Sequence, residues 1–446
     1  MSSPNLENLW AEISSLTAVR DVGRVCGVSR GAMQISGLNH VAGIGDQVAV
    51  ALDGGAQLGG EVVALNGEVA TVFPDGSIEG ATLGARAIHF GPTTIAPDNA
   101  WIGRIIDPSG APLDGRPLLR GRTARSLIGS PPPATQRRQM GGRLETGVAI
   151  FNTLLPLVRG QRIGLFAGSG VGKSSLLAKF AKRVEADVVV IALVGERGRE
   201  VREFVENTLG KEGLSRSVVI AATSDRSALI RRRCALTAMS VAEHFRDQGS
   251  HVLLLTDSVT RFAEAHREIA LASGEGASLK GHPPSMAQAI MSLAERAGPG
   301  LEHSGDITAI FSVLVAGSDM EEPVADTLRG VLDGHVVLDR AIAERGRYPA
   351  IDLLRSVSRS LPTAASEPEN ILINQTRRLL GAYDRAEMMI QAGLYSPGSD
   401  IDIDAVLPIW PALDRYLAAD EPGAITDSFA RLARHLEGKS SHSNPA

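Results

Sequence analysis

The run Ala167-Gly168-Ser169-Gly170-Val171-Gly172-Lys173-Ser174 places a lysine and a hydroxyl directly after a glycine-rich stretch. Glycines at 168, 170 and 172 let backbone N–H groups turn inward on an anion without side chains crowding it. Lys173 adds a charge that reaches the β- and γ-phosphates of a nucleotide, and the Ser174 hydroxyl is a ligand for Mg²⁺. The pattern is that of a phosphate-binding loop, GxxxxGK[ST], with Ala167 at the place of the first glycine, which keeps that position small. The candidate nucleotide-binding set is therefore Ala167, Gly168, Ser169, Gly170, Val171, Gly172, Lys173, Ser174 and Ser175.

Hydrolysis asks for more than a cradle: a group to orient water and a group to hold the metal. The apolar run Val188 to Val194 ends in Gly195-Glu196-Arg197-Gly198-Arg199-Glu200, which puts Glu196 at a strand end, where it can polarise a water. The same charged run also fits a solvated loop. The run His251 to Thr256 ends in Asp257, a second strand-end acid suited to Mg²⁺ through its water shell, and Arg261 follows within reach of either the γ-phosphate or Glu196. Farther on, Tyr348 offers a ring that could stack on adenine or pack in a core, and Arg359 is either a structural arginine or one that reaches a phosphate.

These residues need a frame that brings strand ends together. Runs at Ile163 to Ala167, Val188 to Val194, Val218 to Ala221, His251 to Thr256 and Ile307 to Val315 alternate with helical patterns, the signature of a parallel α/β sheet covered on both faces. The first run leads into the loop, and Leu176, Leu177, Phe180 and Val184 give the following helix an apolar face whose amino end adds positive potential. Before it, from about Val22 to Phe90, short β-branched runs separated by Gly54-Gly55, Gly59-Gly60 and Asp75-Gly76 predict a small β-barrel. Pro92, Pro97 and Ser130-Pro131-Pro132-Pro133 mark joints between domains. After Pro362 the pattern is helical, and a polar, disordered tail is expected from Gly438. At the other end Leu6, Leu9, Trp10, Ile13 and Leu16 recur at helical spacing, with Ser3 as the expected cap; the helix packs on its own domain or docks a partner.

The 446 residues predict two or three domains, and 43% hydrophobic with 21% charged residues is a globular composition. A net charge of −5 without a basic stripe disfavours nucleic acid as a partner, and residues 22 to 90 hold only Phe73 and Phe90 for stacking on bases. Cys26 and Cys234 form no CxxC pair, which predicts reduced thiols in the cytoplasm. No apolar run approaches the roughly 20 residues of a membrane span, and no secretory signal is expected.

The chain resembles the hexameric secretion and rotary ATPases, and within them the flagellar protein-export ATPases of type III secretion systems. The resemblance lies in Gly103-Arg104-Ile105-Ile106-Asp107 with Pro112-Leu113-Asp114-Gly115, Gly168 to Ser174, Gly195 to Val201, and Asp257 to Phe262. It continues in Leu332-Asp333-Gly334-His335 and in Pro349-Ala350-Ile351-Asp352 through Ser356-Val357-Ser358-Arg359. It implies an α/β fold class, a RecA-like P-loop ATPase core with an N-terminal β-barrel and a C-terminal helical domain. The expected limits are 1–20 for a docking helix, 21–92 for the barrel, 93–362 for the core and 363–446 for the helical domain. It further implies that Glu196 activates water, that Arg197 and Arg261 assist around the γ-phosphate, that Tyr348 stacks on adenine, and that Arg359 enters a neighbour's site as an arginine finger. A chain carrying both Glu196 and Arg359 suits a homohexamer, in which every interface completes one site.

The implied cofactors are ATP and Mg²⁺. The implied partners are further copies of the chain, a stator-like regulatory subunit at the N-terminus, export chaperones and substrates at the C-terminal domain, and a membrane export gate against which a cytoplasmic ring rests. Ala341 to Tyr348 and Gly393 to Asp400 resemble the flagellar branch; virulence-type secretion ATPases are the near alternative, and rotary synthase or vacuolar-type subunits, an RNA translocase and a non-catalytic ring subunit are more distant ones. The chain departs from the family pattern in the loop Gly274 to Ala287, at Asn152 where Asp is usual, and at Ser318 where an acid is usual.

Overall fold

In Gln47-Val48-Ala49-Val50 and Val69-Ala70-Thr71-Val72 every second residue is apolar and buried, so each run forms a strand with one face to a core. The computed structural model, which describes residues 4–14, 16–29, 31–315 and 320–437, closes six such strands into a barrel. They are β1 (Val22–Ser29), β2 (Ala32–Ser36), β3 (Asp46–Ala51), β4 (Gln57–Asn66), β5 (Val69–Pro74) and β6 (Arg86–Pro92), paired antiparallel in the order β1-β2-β5-β4-β3-β6. Met33, Ile35, Val48, Val50, Val62 and Val72 fill the interior. Glu61 on β4 ties the barrel to the next domain by accepting from Arg232 and, through Oε2, from Arg233 at 2.9 and 3.1 Å.

A two-stranded ladder of β7 (Thr94–Ile95) and β9 (Arg125–Ser126) flanks the passage into the larger sheet. That sheet holds β8 (Arg104–Ile106), β10 (Arg162–Ala167), β11 (Val188–Glu196), β12 (Ser217–Thr223), β13 (His251–Asp257), β14 (Asp306–Leu314), β15 (Gly334–Leu338) and β16 (Ile351–Ser358). Its order is β16-β15-β10-β14-β13-β11-β12-β8, parallel throughout except that β16 runs antiparallel to β15. Because helices cover both faces, β11 is apolar without alternation, and its successive residues feed two different cores. Val189, Ile191 and Leu193 join one and Val188, Val190, Ala192 and Val194 the other.

The parallel runs predicted from the sequence are all strands of this sheet, which also reaches farther than they do. The edge strand β8 lies inside the Gly103 to Asp107 motif. The Arg104 guanidinium of that motif grips Asp114 through Nε and Nη2 at 2.6 and 2.8 Å and holds its carboxyl far below the usual range, so this part of the resemblance is a structural pin.

Helices Glu367–Gln391, Ile401–Val406, Trp410–Leu417 and Ile425–Leu436 form the C-terminal region. Leu380, Leu413, Tyr416, Phe429 and Leu432 enter the same core as Leu176 and Phe180 of the helix Lys173–Arg183. Asn152, fully buried, sits at the seam: its Oδ1 accepts from the Thr146 N–H and hydroxyl at 3.0 and 2.9 Å, while Nδ2 donates to the Ser428 hydroxyl at 3.2 Å and the Glu421 carbonyl at 3.4 Å. An amide supplies those donors and an ionised aspartate does not, which gives the departure at this position a local reason.

The helix Pro4–Ser14 is attached by polar contacts, Asn8 Nδ2 donating to Asp98 at 3.3 Å and Glu7 pairing with Arg122. Its apolar residues Leu6, Leu9, Trp10 and Ile13 face outward, Trp10 being 62% exposed, so this face is not packed on its own domain. Ser3, Ser318 and the tail from Gly438 lie outside the described residues.

Candidate nucleotide site

β10 ends at Ala167, and the chain turns through Gly170 and Gly172, whose φ angles of 79° and 86° are left-handed, before the helix begins at Lys173. A side chain at Gly172 would also meet the Tyr348 ring, since a Cβ there would lie 3.0 Å from Cδ1; the half-exposed ring thus stands beside the loop. The turn opens a cavity of about 890 Å³ lined by Ala167 to Gly170 and Gly172 to Ser175. Gly195, Glu196, Arg197, Glu200, Arg231, Thr260, Arg261, Glu264 and Glu322 complete most of the wall. Val171 is not in this wall; at 2% exposure it points into the core and anchors the loop from behind.

Lys173 pairs with Asp257 at the end of β13, and the Ser312 hydroxyl of β14 donates to the same Oδ1 at 2.8 Å. Ser174 and Asp257 meet at an adjoining cavity of about 260 Å³, with Glu196 and Glu200 also in its wall. Among the described residues no group of three or more His, Cys, Asp or Glu is gathered for a metal. A hydroxyl and one carboxylate beside a phosphate cradle fit Mg²⁺, which takes few protein ligands and completes its shell with water and phosphate oxygens.

Glu196 closes β11 on the cavity side. Burial pushes its carboxyl up to about 7, the Asp257 carboxylate pushes the same way and the Lys173 ammonium opposes both. Glu200, one turn on, is held down by Arg197, whose Nη1 donates to it at 2.9 Å. Arg261 donates from Nη1 to Glu264 at 2.8 Å, and its Nε is buried without a hydrogen-bond partner among the described residues. Lys173, Glu196, Arg197 and Arg261 thus surround one space.

Arg359 does not share it. β16 runs against its neighbours, Gly334 facing Ser358, so Arg359 emerges at the amino edge of the parallel strands, where its N–H donates to the Asp333 carbonyl at 2.9 Å. The loop lies at the carboxyl edge, a full β10 length away, roughly 17 Å at the usual rise per residue. The Arg359 guanidinium donates from Nη2 to the Arg329 carbonyl at 3.2 Å and opens on a separate cavity of about 540 Å³ shared with Arg137, Arg138, Arg162 and Asp333.

Glu200, Glu264, Glu322 and Ser312 were not singled out by their types. Ser312 carried only a weak signal, a hydroxyl in a strand that also holds Asp306 and Thr308; the three acids read as ordinary helix or loop surface.

Residues 147–358 match the nucleotide-binding domain of the ATP synthase alpha/beta family, and residues 365–434 match the C-terminal domain of the type III secretion ATPase EscN. A flagellum-specific ATP synthase of Caulobacter vibrioides is 43% identical over 445 residues, covering 97% of this chain and 100% of its own. The assembled ATPase EscN of the enteropathogenic E. coli type III secretion system superposes with a TM-score of 0.85 at 34% identity, over 93% of this chain and 100% of that one. The same ATPase in complex with its central stalk EscO gives 0.83 at 34% identity, with the same coverage.

Proposed function

We propose, from the premise that this chain belongs to the flagellum-specific and type III secretion ATPases of the ATP synthase alpha/beta family, that it hydrolyses ATP as a homohexameric ring serving flagellar protein export. The observation that carries the reading is the division of labour across the sheet: loop, lysine and acids share one cavity at the carboxyl edge, while Arg359 stands exposed at the opposite edge.

In this reading the backbone from Gly168 to Ser174 and the Lys173 ammonium hold the β- and γ-phosphates, and Tyr348 packs its ring on the adenine. Ser174 and Asp257 hold Mg²⁺, which when bound neutralises phosphate charge. Glu196, once unprotonated, accepts a hydrogen bond from the attacking water and aligns it. Arg197 and Arg261 leave Glu200 and Glu264 for the γ-phosphate, and Arg359 of the adjacent subunit meets the charge that builds on the transferred phosphoryl group.

The outward apolar face of Pro4–Ser14 suits a stator-like partner, the helical C-terminal region suits a stalk, chaperones and export substrates, and the ring works at the cytoplasmic side of a membrane export gate. Among the described residues no helix is long and apolar enough to cross a membrane. The flagellar assignment draws on the 43% identity to a flagellar relative over nearly the whole chain, with a type 3 secretion system ATPase following at 39%. Lys173→Ala is expected to remove ATP turnover, and Glu196→Gln to leave nucleotide binding intact while turnover stops; full turnover in Glu196→Gln would remove its assigned role.

A further inference from the structure

The loop from Gly274 to Ala287, where the sequence departs most from its family pattern, is tied at two points to segments that also line the phosphate cavity. At the first, Glu275 accepts from the Ser285 N–H at 2.8 Å and from the Ser285 hydroxyl at 2.6 Å, and His266 Nε2 lies 2.8 Å from the same hydroxyl. A carboxylate only accepts, so the single hydroxyl proton goes to Glu275 and the imidazole must donate from Nε2. The hydroxyl is thereby committed to holding the loop and is no nucleophile. His266 belongs to the helix Val259–Ala272, whose first turns put Thr260, Arg261 and Glu264 in the cavity wall.

At the second point Lys280 Nζ donates to the Glu321 carbonyl at 3.2 Å, directly before the cavity-lining Glu322. Ser278 and His282 close the loop between these points, the His282 carbonyl accepting from Ser278 N–H at 2.9 Å and Oγ at 2.8 Å. Lys280 sits at φ 55°, a conformation that a residue other than glycine keeps only where its surroundings impose it.

We propose that this loop is a positioning element for hydrolysis: Lys280 and the His266–Ser285–Glu275 chain fix where Arg261, Glu264 and Glu322 stand around the phosphoryl group. The inference rests on the ATPase reading and deepens it. The loop bonds to His266 and to the Glu321 carbonyl, which adjoin the wall residues Arg261, Glu264 and Glu322, so disturbing it changes turnover more than ATP affinity.

The test is steady-state ATP hydrolysis by the full chain carrying Lys280→Met, Lys280→Arg or Ser285→Ala, with thermal unfolding of each protein. Lys280→Met and Ser285→Ala are expected to lower kcat by roughly three- to tenfold with KM for ATP within about twofold and Tm unchanged, and Lys280→Arg to retain most of the rate. Unchanged kcat in both, a rise in KM alone, or a fall in kcat matched by a fall in Tm overturns the proposal. Wild-type turnover in the same assay separates the two readings: no wild-type turnover removes the ATPase assignment, whereas normal wild-type turnover with unaffected variants removes only the positioning role.

Discussion

Two inactive variants of this chain are expected to restore one another when mixed. Lys173→Ala spoils the cradle and leaves Arg359 intact; Arg359→Ala does the reverse. The two groups stand on opposite edges of the sheet, a strand length apart, so neither protein completes a site alone or in a ring of its own kind. In a randomly mixed closed ring at equal proportions, an interface is whole when an Arg359→Ala subunit supplies the cradle and a Lys173→Ala neighbour supplies the arginine. The chance is about one half times one half, so about a quarter of the interfaces recover, whatever the number of subunits in the closed ring. The assay is phosphate release after dissociating and reassembling the mixture, set against each variant alone and against wild type, with ring formation checked by sedimentation. Mixed rings that form and stay as inactive as the parents would refute trans action by Arg359.

Turnover is also expected to fall on the acid side of neutrality: a carboxyl raised to about 7 is only about one-tenth ionised at pH 6, so the population able to orient water drops roughly tenfold there, and a kcat/KM profile flat from pH 6 to 8 contradicts this. Glu200→Gln removes one of the groups raising that carboxyl, and the profile should move to lower pH. Chelating divalent cations should stop turnover, with Mg²⁺ restoring it, since the protein offers Ser174 and Asp257 as its own oxygens; undiminished phosphate release in chelator would argue against that site. Glu61→Ala leaves two largely buried guanidiniums facing an empty place, a loss of about 3 to 5 kcal/mol that should appear as an earlier first transition in urea.

The loop and the two strand-end acids were legible because each is local: a glycine spacing, or an apolar run stopping at a carboxyl. The same logic found β10, β11, β12, β13 and β14, whose burial on both faces leaves long uninterrupted apolar runs. The edge strands β8 and β16 escaped it. β8 spans Arg104–Ile106 alone, and β16 carries Asp352, Arg355 and Ser356 among its apolar residues, so neither resembles a buried strand. The position of Arg359 depends on the direction of β16, which only the assembled sheet fixes. The chain from His266 through Ser285 to Glu275 joins residues on two helices and a loop, and no sequence period announces it.

The C-terminal helices share one packed core with the helix that follows the phosphate loop, and Phe180 of that helix meets Phe151 edge-on at 4.9 Å within it. A core at crystal-like density does not yield at one wall while the other stays still. The nucleotide end and the C-terminal end of the subunit are therefore two faces of one stiff wedge. Load applied to the helices reaches the phosphate loop through the side chains they pack in common.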